Sequence, residues 1–376
     1  MKYFCVAQWN GLYIKNNSTS SCCVAIPTNI SPNAFLESEQ RKTLKAESMT
    51  KVPQQCVGCW SNEQKGLQTV RNGIAHLYPD YDESTVLSLP DKVVEHLEIR
   101  ESNLCNFACR MCNADDSVKF EREIRDNVEL QQYYNLSTQQ TMSEENWQQT
   151  LKIAENVKTL ILTGGEPFLI KRYYELLDHL IRTERNTNIS LRIFTNCSVF
   201  NKTMFDMLTK FKTMQLSMSI DAVGKVAEYQ RYGTDWETVV SNINKYLEYP
   251  FRFNIHSTIT AYTILDFERL VDFYLELETK TNRLLPWTAR SIRHPNQLKV
   301  NNLNFELRVK AIKQIDNSVE KLSKHPKCRF VTQELLSLKT QILSDKTCEF
   351  TEFTNITKAL DRSRNQSFEE VFGYKI

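Results

Sequence analysis

From about residue 93 the chain settles into a repeating rhythm of short apolar strands and amphipathic helices. Residues 93–100 (VVEHLEIR) alternate apolar and polar positions, the signature of a half-buried strand. A helical stretch follows over about 115–134. Residues 157–163 (VKTLILT) form an apolar run that predicts a buried strand, with a helix over roughly 170–184. The pair recurs as strand 189–195 with helix 201–211, strand 214–220 with helix 235–248, and strand 251–260 with helix 265–277. A sixth strand is expected over 284–292. Strands alternating with helices of this length imply βα units and a parallel sheet. Six units suit an α/β fold of the open, partial (β/α)6 TIM-like barrel kind better than a closed eight-fold one. Polar residues gather just after each strand, at the ends where such sheets place their sites.

The flanks read differently. Residues 1–75 look short-stranded and turn-rich, with Asn16-Asn17-Ser18 as a turn signal. From about 303 the pattern is helical, with amphipathic stretches around 304–322 and 331–344. The expected organisation is a cysteine-rich segment over 1–80, the partial barrel over 90–295 and a helical extension over 296–376.

Composition narrows the function classes. A hydrophobic content of 41% over 376 residues supports a substantial core, while a net charge of +2 leaves no electrostatic footprint for nucleic acid or an anionic membrane. No apolar run is long enough to span a bilayer. The first ten residues lack the features of a secretory signal. Eleven cysteines in that setting predict reduced thiols in the cytoplasm, serving as metal ligands or in redox chemistry. A disulfide scaffold, the bland alternative, belongs to short secreted chains.

Five of the cysteines precede residue 60, three lie at 105–112 and three follow. Cys105, Cys109 and Cys112 supply three thiolates within eight residues, enough for three corners of a cubane iron–sulfur cluster. Such clusters normally take four cysteine ligands. A set that stops at three leaves one iron open, and an open position separates catalytic from structural metal sites.

Cys-x-x-x-Cys-x-x-Cys after the first strand, followed by Gly164-Gly165-Glu166-Pro167 after the second, resembles the radical S-adenosylmethionine (SAM) superfamily. The combination is far more specific than either motif alone. The resemblance implies a [4Fe–4S] cluster on Cys105, Cys109 and Cys112, with SAM chelating the open iron. It implies one-electron cleavage of SAM to methionine and a 5′-deoxyadenosyl radical that takes hydrogen from substrate. Cluster and cofactor carry the hard chemistry, and the protein orients them. By the same resemblance Gly164 and Gly165 let backbone approach the methionine moiety, Glu166 accepts from its amino group, and Pro167 stiffens the turn.

Softer matches follow at later strand ends. Thr195-Asn196-Cys197 resembles the family's Thr-Asn-Gly, with cysteine in place of glycine. Cys197 either faces the site or, the preferred reading, packs as an inert thiol. Ser217, Ser219 and Asp221 resemble the segment whose polar side chains approach SAM, and Arg231 falls where relatives bind the SAM carboxylate. Thr258 and Thr260 end the fifth strand as pocket candidates, and Met111 stands where many members carry an aromatic residue near the adenine. For each of these, a purely structural role competes evenly.

Cys5, Cys22, Cys56 and Cys59 look like the auxiliary-cluster extension of twitch- or SPASM-type members, here placed ahead of the barrel. Cys22 is preferred to Cys23 because it ends a Gly-x-x-x-x-Cys pattern in which Asn17 replaces the glycine. Spacing alone suits a structural zinc site equally well; the resemblance favours a second Fe–S cluster. Cys328 and Cys348 match nothing nameable and are read as packing in the C-terminal helices.

The leading expectation is therefore a radical SAM enzyme that takes hydrogen from a peptide or small-molecule substrate. An electron donor such as flavodoxin or ferredoxin is implied by the same resemblance. Two rivals make other predictions. A zinc-binding interaction protein would hold zinc and no acid-labile sulfide, and a cluster-bearing redox relay would hold iron and sulfide without cleaving SAM.

Overall fold

The computed structural model describes residues 4–137, 141–283, 285–325, 328–344 and 349–376. Its strands are β1 (Gly11–Lys15), β2 (Ser18–Ser20), β3 (His96–Arg100), β4 (Ala108–Cys109), β5 (Thr159–Thr163), β6 (Ser190–Thr195), β7 (Thr213–Ser219), β8 (Arg231–Tyr232), β9 (Arg252–Ile259) and β10 (Trp287–Ser291). Eight of them form one sheet in the order β10-β9-β7-β6-β5-β3-β1-β2, and β4 pairs separately with β8. The pairs β1–β3, β3–β5, β5–β6 and β9–β10 run parallel. The fold is α/β, with a mostly parallel sheet, intervening helices and a helical C-terminus, as the rhythm of the chain predicts.

Five differences from the sequence reading stand out. The N-terminal segment is largely helical, with Pro32–Glu37, Glu39–Thr50, Val57–Gln64 and Val70–Leu77 in place of short strands. Ser31 and Ser38 cap the first two of these helices through side-chain oxygens. The strands that do form there extend the main sheet, because β1 lies in register beside β3. The helix expected over 115–134 covers Val118–Asp126, since Asn127 turns extended and a short 3-10 turn, Leu130–Gln132, follows. Helices Glu144–Ala154 and Phe350–Arg364 had no counterpart in the sequence reading. The sixth strand begins at Trp287, and Leu284 and Cys348 lie outside the described residues.

The chain divides into two compact units. One comprises Met1–Asn103, Gln139–Phe194 and Asn201–Gln215; the other comprises Leu104–Thr138, Thr195–Phe200 and Leu216–Ile376.

In the first unit, alternation along the strands sorts the side chains. Leu12, Ile14, Leu97, Ile99, Leu160 and Leu162 are fully buried. Tyr173, on the Lys171–Arg182 helix, anchors that helix to the strand ends by donating to the carbonyl of Thr163 at 2.6 Å and of Ile99 at 2.9 Å. The intervening positions of β3 are His96, Glu98 and Arg100. The β1–β2 hairpin turns through Asn16, whose φ of 53° is left-handed. Asn17, which stands at the glycine position of the cysteine pattern, is not the left-handed residue. Asn17 instead works through its side chain: its Oδ1 accepts from Ser143 N at 2.8 Å and Asn146 Nδ2 at 3.1 Å, at the start of the Glu144–Ala154 helix.

In the second unit, Trp287 of β10 stacks on Phe267 with centroids 5.7 Å apart and donates to Ser257 of β9 at 2.9 Å. The edge of the sheet at β10 is met by the Arg329–Ser344 helix, where Glu334 accepts from Ser291 N and Oγ, each at 2.8 Å. Such cover blunts a strand edge that would otherwise invite pairing. Cys328 is buried beside Tyr274.

Candidate active site

The loop bearing Cys105, Cys109 and Cys112 is held by backbone pairing before any side chain acts. Cys109 sits in β4 directly opposite Arg231 of β8, and Cys112 N donates to Cys109 O at 2.9 Å. Phe107 N donates to Cys105 Sγ at 3.4 Å, an N–H···S contact that suits a thiolate. A second such donor is Asn196 Nδ2, 3.9 Å from the same sulfur.

Asn196 is fixed in turn. Its Nδ2 donates to Asn106 Oδ1 at 3.1 Å and its Oδ1 accepts from Ser198 N at 2.9 Å. Thr195 is buried, and its hydroxyl accepts from Cys197 N at 3.1 Å. Cys197 adopts a φ of 64°, a left-handed conformation that favours glycine, and its fully buried thiol donates to Thr195 O at 3.8 Å. Asp221 and Arg231 form a buried ion pair, Nε to Oδ2 at 2.7 Å, and Asp221 Oδ1 accepts from Thr258 N at 2.7 Å. Ser219, at the end of β7, and Met111 are half-buried, whereas Ser217 donates to Asn254 Oδ1 at 2.7 Å.

The Gly164-Gly165-Glu166-Pro167 turn belongs to the first unit and leaves the end of β5. Gly164 has a φ of 121°, and a Cβ there would stand 3.0 Å from Ser102 O. Only glycine fits that turn without strain. Glu166 is fully buried and accepts from Phe168 N at 3.2 Å, capping the Pro167–Leu169 turn.

The sequence of residues 100–274 matches the model of the radical SAM superfamily. That stretch belongs to the radical SAM superfamily. The matched stretch covers a little under half of the chain. No curated protein sequence matches it. Among solved structures it is similar to native anSMEcpe with bound AdoMet, at 17% identity over 61% of this chain and 62% of that one, with a TM-score of 0.45. It is also similar to Streptococcus suis SuiB bound to S-adenosylmethionine, at 14% identity over 61% of this chain and 48% of that one, with a TM-score of 0.42. The chain thus matches less than two thirds of either structure's own length.

Within the matched stretch, burial acts on the cysteine thiols of the loop. Burial pushes the Cys112 thiol well above its ordinary range, and Asp116, Cys109 and Cys105 add to the shift. Burial also raises Cys109, while Arg231 beside it works the other way. A bound cation reverses such shifts and deprotonates the thiols outright.

Ahead of the radical SAM domain, the four N-terminal cysteines meet within the first unit. Cys5, Cys22, Cys56 and Cys59 line one small cavity together with Gln8 and Arg71. Gln8 Nε2 donates to Cys56 Sγ at 3.4 Å. Arg71 stacks over Trp60 at 3.8 Å, pairs with Glu63 and donates to Phe4 O at 3.0 Å. Cys23 points elsewhere, with Glu98 and Arg100 as neighbours. Among the described residues no three His, Cys, Asp or Glu side chains close on one point as ligands of a single ion do.

Sequence reasoning missed Asn106, Ser198, Gln8 and Arg71. Gln8, Ser198 and Arg71 reach their partners from distant segments. Asn106 stands directly after Cys105, inside the three-cysteine run.

Proposed function

We propose that the chain generates a 5′-deoxyadenosyl radical at Cys105, Cys109 and Cys112 and uses it to take hydrogen from a peptide or small-molecule substrate. The observation that carries this reading is the three-thiol loop itself. It stops one ligand short of a closed cluster, and Asn196, Asp221 and Arg231 arrive beside it from later strand ends. When bound there, a reduced cluster supplies the electron that splits SAM.

The residues divide the remaining work. Asn196 and the Phe107 N–H stabilise negative charge on Cys105, a known lever on cluster potential. Arg231, oriented by Asp221, binds the SAM carboxylate, and Glu166 accepts from the SAM amino group. Gly164 and Gly165 keep the turn tight for the methionine end, while Met111 and Ser219 line the rest. Cys5, Cys22, Cys56 and Cys59 would hold a second Fe–S cluster, which would supply either one-electron chemistry or an anchoring iron for the substrate.

A small reductase such as flavodoxin or ferredoxin supplies the electron.

The test uses the purified, anaerobically reconstituted protein with dithionite, SAM and a metabolite and peptide extract from cells grown in heavy water. Deuterium in the 5′-deoxyadenosine formed supports hydrogen abstraction from a C–H bond. Iron and sulfide with no SAM cleavage in any fraction would establish the relay instead.

A further inference from the structure

We infer that the C-terminal helices set the geometry of the cluster loop through Arg110, which makes Arg110 a positioning residue for the radical chemistry. The inference rests on the reading that Cys105, Cys109 and Cys112 hold the cluster.

Arg110 stands between two of the three cysteines and is fully buried. Its backbone is pinned on both sides: N–H donates to Gln230 O at 2.8 Å, and the carbonyl accepts from Tyr134 Oη at 3.1 Å. Its side chain leaves the loop altogether. Nε donates to Tyr229 O at 2.9 Å, and Nη2 donates to Asp361 Oδ1 at 2.5 Å and Gln366 Oε1 at 2.9 Å. The guanidinium lies 3.5 Å from the centre of the Tyr229 ring and 5.4 Å from that of Tyr262.

Asp361 is equally committed. Its Oδ1 also accepts from Tyr229 Oη at 2.8 Å, and its Oδ2 accepts from Phe368 N at 2.8 Å, at the start of the Phe368–Phe372 helix. An unbroken line of direct contacts therefore runs from the last helix, through Asp361 on the Phe350–Arg364 helix, to the residue beside Cys109. All of it lies within one compact unit.

Nothing in a three-cysteine spacing demands a buried cation there. Burying a guanidinium carries a desolvation cost that an apolar spacer avoids. What the planar fork adds is direction, because its donors fix the orientation of everything they join. Cys109 and Cys112 flank that fixed point, so the sulfurs inherit its placement. Misplacement by about 1 Å is enough to lower rates markedly in positioned chemistry. The sequence shows the region beyond 296 as a helical extension; this line of contacts gives it a task.

The experiment compares wild type with Asp361→Asn, Arg110→Lys and Tyr229→Phe, each in a Cys56→Ala, Cys59→Ala background so that the first cluster alone is read. After anaerobic reconstitution, iron and sulfide are counted. The midpoint potential and the SAM-induced change in the EPR spectrum of the reduced cluster are then recorded, together with SAM cleavage. The expected result is full iron loading with a displaced potential, an altered EPR response and cleavage reduced roughly 10-fold or more. Where Arg110→Lys fails to fold, Tyr229→Phe still reports, since it removes only one hydroxyl from Asp361. Variants that load iron and keep wild-type potential and EPR response, even with lowered thermal stability, would overturn the inference. A wild-type background that takes up no iron or sulfide would overturn the cluster reading itself.

Discussion

Burial pushes the thiols of Cys5, Cys22 and Cys56 upward, Cys22 to about 12 and Cys56 to about 11, so each stays protonated at neutral pH until a cation binds. Metal uptake at this set must then release protons and strengthen as pH rises. Single substitutions separate the two cysteine sets. Cys112→Ala is expected to abolish formation of 5′-deoxyadenosine, whereas Cys56→Ala lowers iron content while the first set still binds SAM. Within the second set, Cys22→Ser is expected to lower metal content and Cys23→Ser to leave it unchanged, as measured by metal analysis of the purified variants. Unchanged metal in Cys22→Ser would contradict the cavity assignment. The three-cysteine loop was legible because its spacing is local. The preference for Cys22 over Cys23 rests on the family pattern alone, since adjacent residues diverge only once the backbone after β2 is known.

Among the elements, Gly11 has a steric role that no spacing announced. A Cβ on it would stand 2.6 Å from both Ala7 O and Ser21 O, the segments that follow Cys5 and precede Cys22. Gly11→Ala is expected to cost about 1–3 kcal/mol in chemical unfolding and to lower metal content at the second set, because the two segments must part. Asn17→Ala, which removes bonds to Ser143 and Asn146, is expected to cost roughly 1 kcal/mol or somewhat more, read in the same experiment. Strands were the most legible elements, since alternation in 93–100 and the apolar run in 157–163 both survive folding as β3 and β5. The N-terminal helices were hidden for a physical reason. The buried face of Glu39–Thr50 consists of Arg41, Leu44 and Ser48, so only one apolar residue marks it. Arg41 is kept inside by donating to Trp9 O at 2.7 Å, a partner no helical period predicts.

At the scale of the molecule, acid is expected to weaken the fold through His96. Burial, aided by Arg192, pushes this imidazole down to about 4, so between roughly pH 6.5 and 4 the unfolded chain binds a proton that the folded one refuses. Stability is therefore fully present above the unfolded value and lost as pH falls through that window, by up to about 3 kcal/mol. Urea unfolding at several pH values checks this, and His96→Gln should flatten the dependence. No helix among the described residues is long and apolar enough to cross a membrane. The α/β architecture and its three-cysteine loop were readable in the chain, but the long-range line from Asp361 to Arg110 was not, because 251 positions separate the two residues. The account as a whole stands on SAM cleavage. The most direct test is to reconstitute the purified protein without oxygen, add dithionite and SAM, and quantify 5′-deoxyadenosine alongside iron and sulfide. Cleavage that requires reductant and disappears in Cys112→Ala is the predicted result; a wild-type protein replete in iron and sulfide that leaves SAM intact would contradict it.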